Sequence, residues 1–454
     1  MNKVAARAGI TMLIALALLA GFVFFLAEYV TQARDWVAFK GSPHVYNGSN
    51  IGCGLTTDRN GVLLLDLAGQ RTYSADEVLR KATVHWVGDR KGSVSAPALS
   101  HYASELAGYD LLSGVYSYGR TGGTAKLTLS AKVQAQAQAA MEGYRGTVAV
   151  YNYKTGEILC AVTTPNYDPD HIPDINEKDP GEYEGLYVNR FTQSVYIPGS
   201  IFKIVTLAAA LEHDPTLEEM TFFCEGTYMV AGEPITCESS HGKQSLKQAF
   251  CNSCNCAFAQ LVELIGKDVL QQYVDRFGVV DRVSFDGITT AAGTFEGGEA
   301  ADYNAAWSGI GQYTDQINPC AFMQFVGAVA AGGQGTAPYI VGSISADGIK
   351  SYSAKPVQGQ RIMSQTTARK LIEYMRNNVR TKYGDENFPG LSVCAKTGTG
   401  EVGGNKKPNA MLAGFVEDEQ YPWAFVVAIE DGGYGATVCI PVISRVLEAC
   451  KAEF

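Results

Sequence analysis

Histidine and basic side chains are scarce in this chain of 454 residues. The 6 histidines form no H-E-x-x-H arrangement, which argues against a zinc hydrolase. Lys and Arg total 36 against 46 Asp and Glu, a formal charge of −10. No basic tail or stripe is present, which argues against a nucleic-acid binder. Internal repeats and low-complexity tracts are also absent. The length instead predicts two or three domains and a large core.

One long apolar run lies near the N-terminus. Lys3 and Arg7 precede residues 8–27, in which Thr11 is the only polar residue. Twenty helical residues rise roughly 30 Å, the thickness of a bilayer's hydrocarbon core. We therefore expect residues 1–30 to be a single-pass membrane anchor with a cytoplasmic N-terminus and the rest of the chain outside the cytoplasm. A cleaved signal peptide is the alternative, but the run is long for one and lacks a small-x-small cleavage site.

Cysteine is frequent, and its 11 copies are an odd number. Residues 250–256 read FCNSCNC. A zinc site here would need a fourth ligand, and no second Cys-x-x-Cys supplies one. A thioredoxin-like dithiol would need a preceding strand, whereas SLKQAF is typical of a helix. A simpler interpretation is that Ser253 or Asn255 caps the following helix. Cys224 and Cys237 flank a turn-like stretch and could close a short loop.

The remaining chain divides into two parts. Residues 31–125 predict a small membrane-proximal module of short strands and turns, bounded by the glycine-rich residues 119–123. From residue 126 the pattern is strand, helix and a hairpin at 154–156. Mostly helical sequence follows from 201 to about 332, and strands return at the end. Residues 126–454 therefore predict an α+β domain in which the C-terminal strands complete one sheet.

Ser200 and Lys203 are the first chemically suggestive pair. They lie in YIPGSIFK, where Pro198 and Gly199 predict a turn before a long apolar helix. The spacing i, i+3 places both side chains on one helix face. A lysine amine with a lowered pKa can activate a serine hydroxyl. Alone, the pair could equally be an N-cap serine with an exposed lysine.

Two further patterns follow in order along the chain. Ser253 and Asn255 form S-x-N in a loop suited to presenting a hydroxyl and an amide to a cleft. Lys396, Thr397, Gly398 and Thr399 continue a strand, where a cation and hydroxyls can bind a carboxylate and glycine permits close approach. An earlier Lys-Thr-Gly at 154–156 is sufficiently explained as a hairpin turn.

The order S-x-x-K, S-x-N, K-T-G resembles the penicillin-binding protein transpeptidases, specifically the monofunctional, membrane-anchored class B enzymes. TDRNG at 57–61, LTLSAKVQAQAQAAM, TGEILCAVTTPNYDPD, NRFTQSVYIPGSIFK and AKTGTGE match that family in order. The resemblance implies the penicillin-binding or serine β-lactamase-like fold, an antiparallel sheet flanked by helices plus an all-helical subdomain. Residues 31–125 would be its pedestal-like module.

The resemblance also implies a peptidoglycan D,D-transpeptidase that β-lactams acylate. Ser200 would attack the stem peptide's penultimate D-alanine and release the terminal one. Lys203 would accept the proton, and Ser253 would protonate the leaving amine with help from Lys396. Asn255 would hold the substrate amide. Thr397, Gly398 and Thr399 would bind the terminal carboxylate, and the backbone N–H groups of Ser200 and Thr399 would form the oxyanion hole. No metal or organic cofactor is implied.

Other functions share these motifs. A D,D-carboxypeptidase or a β-lactamase would form the same acyl-enzyme and pass it to water. A non-enzymatic β-lactam sensor or cell-wall scaffold is a third possibility. No glycosyltransferase-like segment fits before residue 126, so the resemblance implies a separate SEDS-type membrane glycan polymerase as partner. Three features depart from the family: the short 31–125 module, the high frequency of cysteine for an exported enzyme, and Gly311-Gln312-Tyr313 where members often have Gly-Gln-Gly.

Overall fold

The computed structural model describes residues 2–43, 45–67, 71–110, 115–116, 122–176, 181–346, 349–404 and 406–454. The helices in this part of the chain are α1 Asn2–Val37, α2 Glu77–Val87, α3 Pro97–His101, α4 Ala103–Leu106, α5 Ala131–Ala140, α6 Arg190–Gln193, α7 Lys203–His213, α8 Leu246–Cys251, α9 Asn255–Ile265, α10 Lys267–Phe277, α11 Asp302–Ser308, α12 Pro319–Ala330, α13 Gln365–Asn378 and α14 Gly435–Glu453. Short 3-10 or π turns lie at Gly181–Tyr183, Gly199–Phe202, Pro215–Glu219, Val379–Tyr383 and Asp385–Asn387.

The strands are mostly short, and only the five that form the central sheet reach seven or eight residues. They are β1 Tyr46–Asn47, β2 Asn50–Ile51, β3 Leu55–Thr57, β4 Leu63–Asp66, β5 Thr72–Tyr73, β6 Tyr109–Asp110, β7 Val115–Tyr116, β8 Thr124–Leu127, β9 Arg145–Asn152, β10 Ile158–Thr164, β11 Thr221–Cys224, β12 Thr227–Val230, β13 Glu233–Thr236, β14 Gly242–Ser245, β15 Ser284–Phe285, β16 Ile288–Thr289, β17 Gln334–Thr336, β18 Val341–Ala346, β19 Ile349–Ser353, β20 Gln358–Arg361, β21 Val393–Gly400, β22 Asn409–Val416 and β23 Trp423–Glu430.

A five-stranded antiparallel sheet organises the larger part of the molecule. Its order is β10-β9-β23-β22-β21, so the C-terminal strands complete a sheet begun by the 145–164 hairpin, as predicted. Helices α5 and α14 cover one face and α12 the other. Both faces of β22 and β23 are therefore buried, which explains their continuous apolar sequences. The sheet leaves β21 at one edge, beside the helical region.

The helical region holds α7 to α12, as the mostly helical sequence from 201 to 332 predicts. The sequence does not predict two antiparallel pairs, β11 with β14 and β12 with β13, which lie between α7 and α8. Strands this short carry almost no periodicity, so helical neighbours dominate the pattern. The insertion brings residues 224–241 back toward the start of α9.

A six-stranded sheet joins the two predicted parts of the chain. Its order is β19-β18-β8-β3-β4-β5, in which β3 and β8 are parallel. Strands β3 to β5 come from residues 31–125, whereas β18 and β19 come from far along the second part. The boundary at 125 therefore passes through this sheet, and residues 119–121 of the predicted boundary lie outside the described residues. One hydrophobic core runs through both parts, from Leu64 and Trp86 to Phe202 and Ile344.

Helix α1 is long and apolar enough to cross a membrane. Its candidate span is Lys3–Val37, with a mean hydropathy of 2.7 over the most apolar window and no buried residue in that window. It is the one such helix among the described residues. By its length and composition, this helix is a candidate membrane anchor. The Thr11 hydroxyl donates a hydrogen bond to the Arg7 carbonyl oxygen at 3.0 Å. The polar residue of the apolar run therefore has its hydrogen-bond partner within the helix.

Candidate active site

Ser200 lies in the single 3-10 turn that leads into α7. The turn is held against β21: Gly199 has φ 54°, and a Cβ on it would collide with the carbonyl group of Thr399. The Gly199 N–H donates to the Gly311 carbonyl oxygen at 2.8 Å. Glycine is required here for both its left-handed backbone and its missing side chain. The predicted turn at Pro198 and Gly199 thus delivers the Ser200 hydroxyl to the edge of the sheet.

Lys203 is fully buried one turn further along. Its Nζ lies 3.0 Å from Ser200 Oγ, 2.7 Å from the Ser253 carbonyl oxygen and 2.7 Å from Asn255 Oδ1. Burial lowers the pKa of this lysine from its usual value to about 8, and nearby acidic groups only partly oppose the shift. Lys203 is therefore not the exposed lysine of the simpler interpretation. Its amine can exist in the neutral form close to physiological pH.

The S-x-N loop lies between α8 and α9. The segment SLKQAF is helical as predicted, beginning with a capping box at Ser245. The expectation that Ser253 or Asn255 caps α9 was wrong: Cys254 is the N-cap, and its Sγ accepts the Ala257 N–H at 3.4 Å. Ser253 has φ 55°, an unusual backbone conformation for a non-glycine residue. The surrounding contacts must hold the loop in this shape.

Lys396 approaches the same loop from β21. It is 1% exposed, and its Nζ lies 2.9 Å from Ser253 Oγ, while Lys203 Nζ lies 3.4 Å from that oxygen. The Ser253 hydroxyl thus bridges two buried lysines. Burial, followed by the neighbouring Lys203, holds the pKa of Lys396 well below its usual value. Such paired perturbation is typical of functional sites.

Thr397 is oriented by a tyrosine that the sequence did not reveal. The Tyr383 hydroxyl lies 3.0 Å from Thr397 Oγ1 and accepts the Thr397 N–H at 3.1 Å. Gln312 similarly donates from Nε2 to the Thr399 carbonyl oxygen at 3.0 Å. Tyr383 lies in an unremarkable stretch, KYGDENFPG, so no sequence signal could have identified it. The sequence signal for Gln312 is the tripeptide Gly311-Gln312-Tyr313, which differs from Gly-Gln-Gly.

These groups open into one cleft of about 840 Å³. The predicted residues on its wall are Ser200, Ser253, Asn255, Thr397, Gly398 and Thr399. Tyr313 also lines it, 45% exposed and with φ 69°, a backbone conformation that favours the glycine it replaces. All eight predicted site residues therefore meet around the cleft, with the two lysines buried beneath its floor. The earlier tripeptide, Lys154-Thr155-Gly156, forms the β9–β10 turn as predicted and does not line the cleft.

A proton can move within this arrangement without crossing bulk water. The Ser200 hydroxyl has a buried amine 3.0 Å away, and the Ser253 hydroxyl stands between that amine and a second one. The site can thus activate one hydroxyl and pass a proton through another. Cys254, the middle residue of the S-x-N pattern, lies among the potential ligand atoms of Cys224, Cys237 and His241.

Comparisons with known proteins agree with this geometry. The model of the family described as "Penicillin binding protein transpeptidase domain" matches residues 146–448. The peptidoglycan D,D-transpeptidase PbpA of Mycobacterium tuberculosis is 28% identical over 359 residues, 72% of each chain. Stage V sporulation protein D of Bacillus subtilis is 27% identical over 413 residues, 85% of this chain and 60% of the relative. The solved ceftriaxone acyl-enzyme of M. tuberculosis penicillin-binding protein A superposes with a TM-score of 0.76 at 25% identity, covering 87% of this chain and 98% of that one.

Proposed function

The chain belongs to the penicillin-binding protein transpeptidase family, and we propose that it cross-links peptidoglycan stem peptides as a D,D-transpeptidase with Ser200 as its nucleophile. The observation that carries the proposal is the buried Lys203 amine, 3.0 Å from Ser200 Oγ and with its pKa lowered to about 8. A serine hydroxyl needs such a base, because its own pKa is far too high for attack at neutral pH.

Acylation proceeds by addition of Ser200 to the substrate carbonyl group, followed by elimination of the leaving amine. Lys203 Nζ accepts the proton of Ser200 as Oγ bonds to the carbonyl carbon of the penultimate D-alanine. The peptide C–N bond then breaks, and the departing amine of the terminal D-alanine needs a proton. Ser253 supplies it and is reprotonated by Lys203, whose Nζ lies 3.4 Å from Ser253 Oγ. Lys396, at 2.9 Å from the same oxygen, stabilises negative charge on it during the transfer.

Cross-linking reverses these roles with a different amine. The acceptor amine of a neighbouring stem attacks the Ser200 ester, loses its proton through Ser253, and forms the new peptide bond. Ser200 recovers its proton from Lys203, so the cycle needs no external oxidant or cofactor. Asn255 is held by Lys203 through Oδ1 and by the Thr236 carbonyl oxygen through Nδ2, at 2.7 and 2.9 Å. This fixed amide orients the substrate backbone.

Binding of the substrate carboxylate falls to the β21 edge. Thr397 and Thr399 present hydroxyls, and Gly398 lets the ligand lie close to the strand. The backbone N–H groups of Ser200 and Thr399 stabilise the developing oxyanion, an effect worth a few kcal/mol in other acyl transferases. Gln312 supports this role because it fixes the Thr399 peptide group through the carbonyl oxygen.

The anchor and a partner complete the proposal. Helix α1 spans the membrane with the N-terminus in the cytoplasm, which the flanking Lys3 and Arg7 favour. The catalytic domain then lies outside the cytoplasm, where peptidoglycan is built. Residues 31–125 have room for only a small module, so glycan strands would be supplied by a SEDS-type membrane polymerase. Affinity purification from membranes that recovers no such polymerase would count against this partnership.

Labelling with a fluorescent penicillin tests the nucleophile. The wild-type chain should form a covalent adduct that survives a chase, and Ser200→Ala should form none while keeping its thermal stability. Lys396→Ala should slow labelling by at least about tenfold, because Ser253 loses its stabilising cation. Lys154→Ala is the matched control: it changes the same tripeptide at the β9–β10 turn, and labelling should be unaffected.

Three results would change the assigned reaction or the assigned nucleophile. A wild-type adduct that disappears within seconds would point to a β-lactamase, because water would then compete effectively for the ester. Release of D-alanine from a stem pentapeptide without a cross-linked product, in the presence of acceptor strands, would point to a D,D-carboxypeptidase. Persistent labelling of Ser200→Ala would remove Ser200 from its assigned role.

A further inference from the structure

Three cysteines and one histidine form a cluster beneath the S-x-N loop. The cysteine–histidine cluster consists of Cys224, Cys237, His241 and Cys254, and their ligand atoms all lie within 4.8 Å of one another. Cys224 ends β11, Cys237 follows β13, His241 precedes β14, and Cys254 caps α9. The β11–β14 insertion therefore supplies the partners that the local motif FCNSCNC lacks. Cys251, the other half of its Cys-x-x-Cys, is outside the cluster.

The distances within the cluster suit a tetrahedral ion. Zinc binds thiolate sulfur at about 2.3 Å and imidazole nitrogen at about 2.0–2.1 Å, so tetrahedral angles separate two sulfurs by about 3.8 Å and sulfur from nitrogen by about 3.6 Å. The Sγ atoms of Cys237 and Cys254 are 3.9 Å apart. His241 Nδ1 lies 3.5 Å from Cys224 Sγ and 3.6 Å from Cys237 Sγ. Three of the measured separations thus already match those around a bound ion.

The surroundings also resemble a metal site. His241 turns Nδ1 toward the sulfurs, while its Nε2 lies 3.3 Å from Ser239 Oγ, a partner that fixes the ring orientation. The Ala257 N–H donates to Cys254 Sγ and would stabilise a thiolate there. Cys224 and Cys254 are buried, whereas Cys237 and His241 are half-buried and line the cleft. An ion can therefore reach the cluster from solvent and then be enclosed.

We propose that the cysteine–histidine cluster binds one Zn²⁺ through three thiolates and His241 Nδ1. Four protein ligands leave no open position, so the ion is structural and takes no part in acyl transfer. It extends the proposed transpeptidase function without depending on it. All eleven cysteines are free thiols in the structure, so no disulfide competes for these sulfurs.

The ion would hold the catalytic loop in its unusual shape. Cys254 lies between Ser253 and Asn255, so a Zn–S bond to it fixes both neighbours. A second contact links the loop to the ligand Cys237: Asn255 Nδ2 donates to the carbonyl oxygen of Thr236, the residue before Cys237. Ser253 keeps φ 55° only while its surroundings enforce it. Cys254 is therefore a positioning residue for Ser253 and Asn255.

Metal analysis of the full chain in detergent tests the site. Protein produced with zinc, purified with a phosphine reductant and dialysed against metal-free buffer should retain about one zinc per chain by mass spectrometry. Cys224→Ser and Cys237→Ser should retain less than about a fifth of that amount. Cys251→Ser, in the same motif but outside the cluster, should retain all of it. Replacing zinc by Co²⁺ should give thiolate charge-transfer and tetrahedral d–d absorption, a result that needs no variant to fold.

A positioning role needs a readout beyond metal content. Removing zinc from the wild type with a chelator should slow penicillin labelling by at least about tenfold and lower the unfolding temperature, and adding zinc should restore both. Ser200→Ala should bind as much zinc as the wild type, which separates this inference from the assignment of the nucleophile. Reduced protein that takes up neither zinc nor cobalt would overturn the proposal. A Cys237–Cys254 disulfide in the purified protein, with octahedral cobalt absorption once that disulfide is reduced, would also overturn it. Unchanged penicillin labelling in zinc-free protein would do the same.

Discussion

Lys203 and Lys396 are two buried amines that share one serine hydroxyl. Their Nζ atoms lie 3.4 and 2.9 Å from Ser253 Oγ. Burial of a charge without a full ion pair is costly, and both residues respond with a lowered pKa. The face of the Phe258 ring, 5.6 Å from Lys203 Nζ, adds only a weak attraction for the charged form. The site therefore favours the state in which one of the two lysine amines has lost its proton.

The pH dependence of acylation follows from Lys203. The amine must be neutral to accept the Ser200 proton, and its pKa is about 8. The second-order rate of penicillin labelling should therefore rise about tenfold per pH unit below that value and level off above it. Burial is the main cause of this lowered pKa, and the nearby acidic side chains of Cys237, Cys254, Glu238 and Cys256 oppose it. Labelling rates measured from about pH 6 to about pH 10 give the profile.

Lys203→Arg provides the control for this profile. A guanidinium stays protonated throughout the range, so labelling should be lost at every pH. A wild-type rate that does not change with pH would show that Lys203 is not the group that accepts the proton.

At the scale of elements, the sequence predicts the helices, strands and turns that apolar periodicity and local turn or capping residues mark. The strand predicted at LTLS is displaced toward the N-terminus, because β8 is Thr124–Leu127 and shares only Leu127 with it. The helix predicted after it is α5, with Ser130 as the N-cap. The hairpin at 154–156 joins β9 and β10. The three motifs were identified because each is continuous in sequence. The sequence does not predict the contacts of Tyr383 or of the cysteine–histidine cluster, because these contacts join segments that are not adjacent in the chain. No local pattern encodes the return of residues 224–241 to Cys254.

The close approach of the Ser200 turn to β21 makes a prediction about Gly398. A Cβ on Gly398 would lie 2.5 Å from the Pro198 carbonyl oxygen and 3.1 Å from Ile201 N. Both are backbone atoms of the nucleophile's turn, so they can yield only by moving Ser200. Gly398→Ala should lower the free energy of unfolding by about 1–3 kcal/mol. It should also slow penicillin labelling more than any change in stability explains.

Gly359→Ala is the matched control in an exposed strand. There the added Cβ meets one atom, the Gly335 carbonyl oxygen at 3.3 Å, and neither glycine lines the cleft. Urea unfolding and labelling of both variants decide the question. Equal labelling rates for Gly398→Ala and the wild type would mean that the turn and strand can separate without loss of function.

At the scale of the whole molecule, the membrane-proximal residues are built into the catalytic domain. Trp86 Nε1 in α2 donates to the Ala161 carbonyl oxygen in β10 at 2.8 Å, and Gln134 in α5 donates to the Ala82 carbonyl oxygen at 3.0 Å. The first bond joins α2 to the central sheet, and the second joins α2 to α5. Together with the shared six-stranded sheet, they predict that residues 31–125 and 126–454 unfold together. Asp58 is the residue on which this coupling can be tested.

Asp58 joins the β3–β4 turn to the start of α5. Its side chain is 1% exposed: Oδ1 accepts the N–H groups of Asn60 and Val62 at 2.7 and 2.8 Å, and Oδ2 accepts the Ala131 N–H at 2.9 Å. Asp58→Ala leaves three backbone donors without this partner and should lower the free energy of unfolding by about 2–4 kcal/mol. Asn60→Ala, which loses only an exposed bond to Glu453, should cost less than about 1 kcal/mol.

The pattern of unfolding distinguishes coupling from simple loss of stability. In urea, fluorescence of Trp86 within the module and of Trp423 in β23 should change at the same midpoint in the wild type, and both midpoints should fall together in Asp58→Ala. The reason is that the six-stranded sheet cannot lose β3 to β5 without exposing the edge of β8 and the core beneath it. If Trp86 reported unfolding at lower urea while penicillin labelling and the Trp423 signal persisted, the module would be a separate unit attached to an autonomous transpeptidase domain.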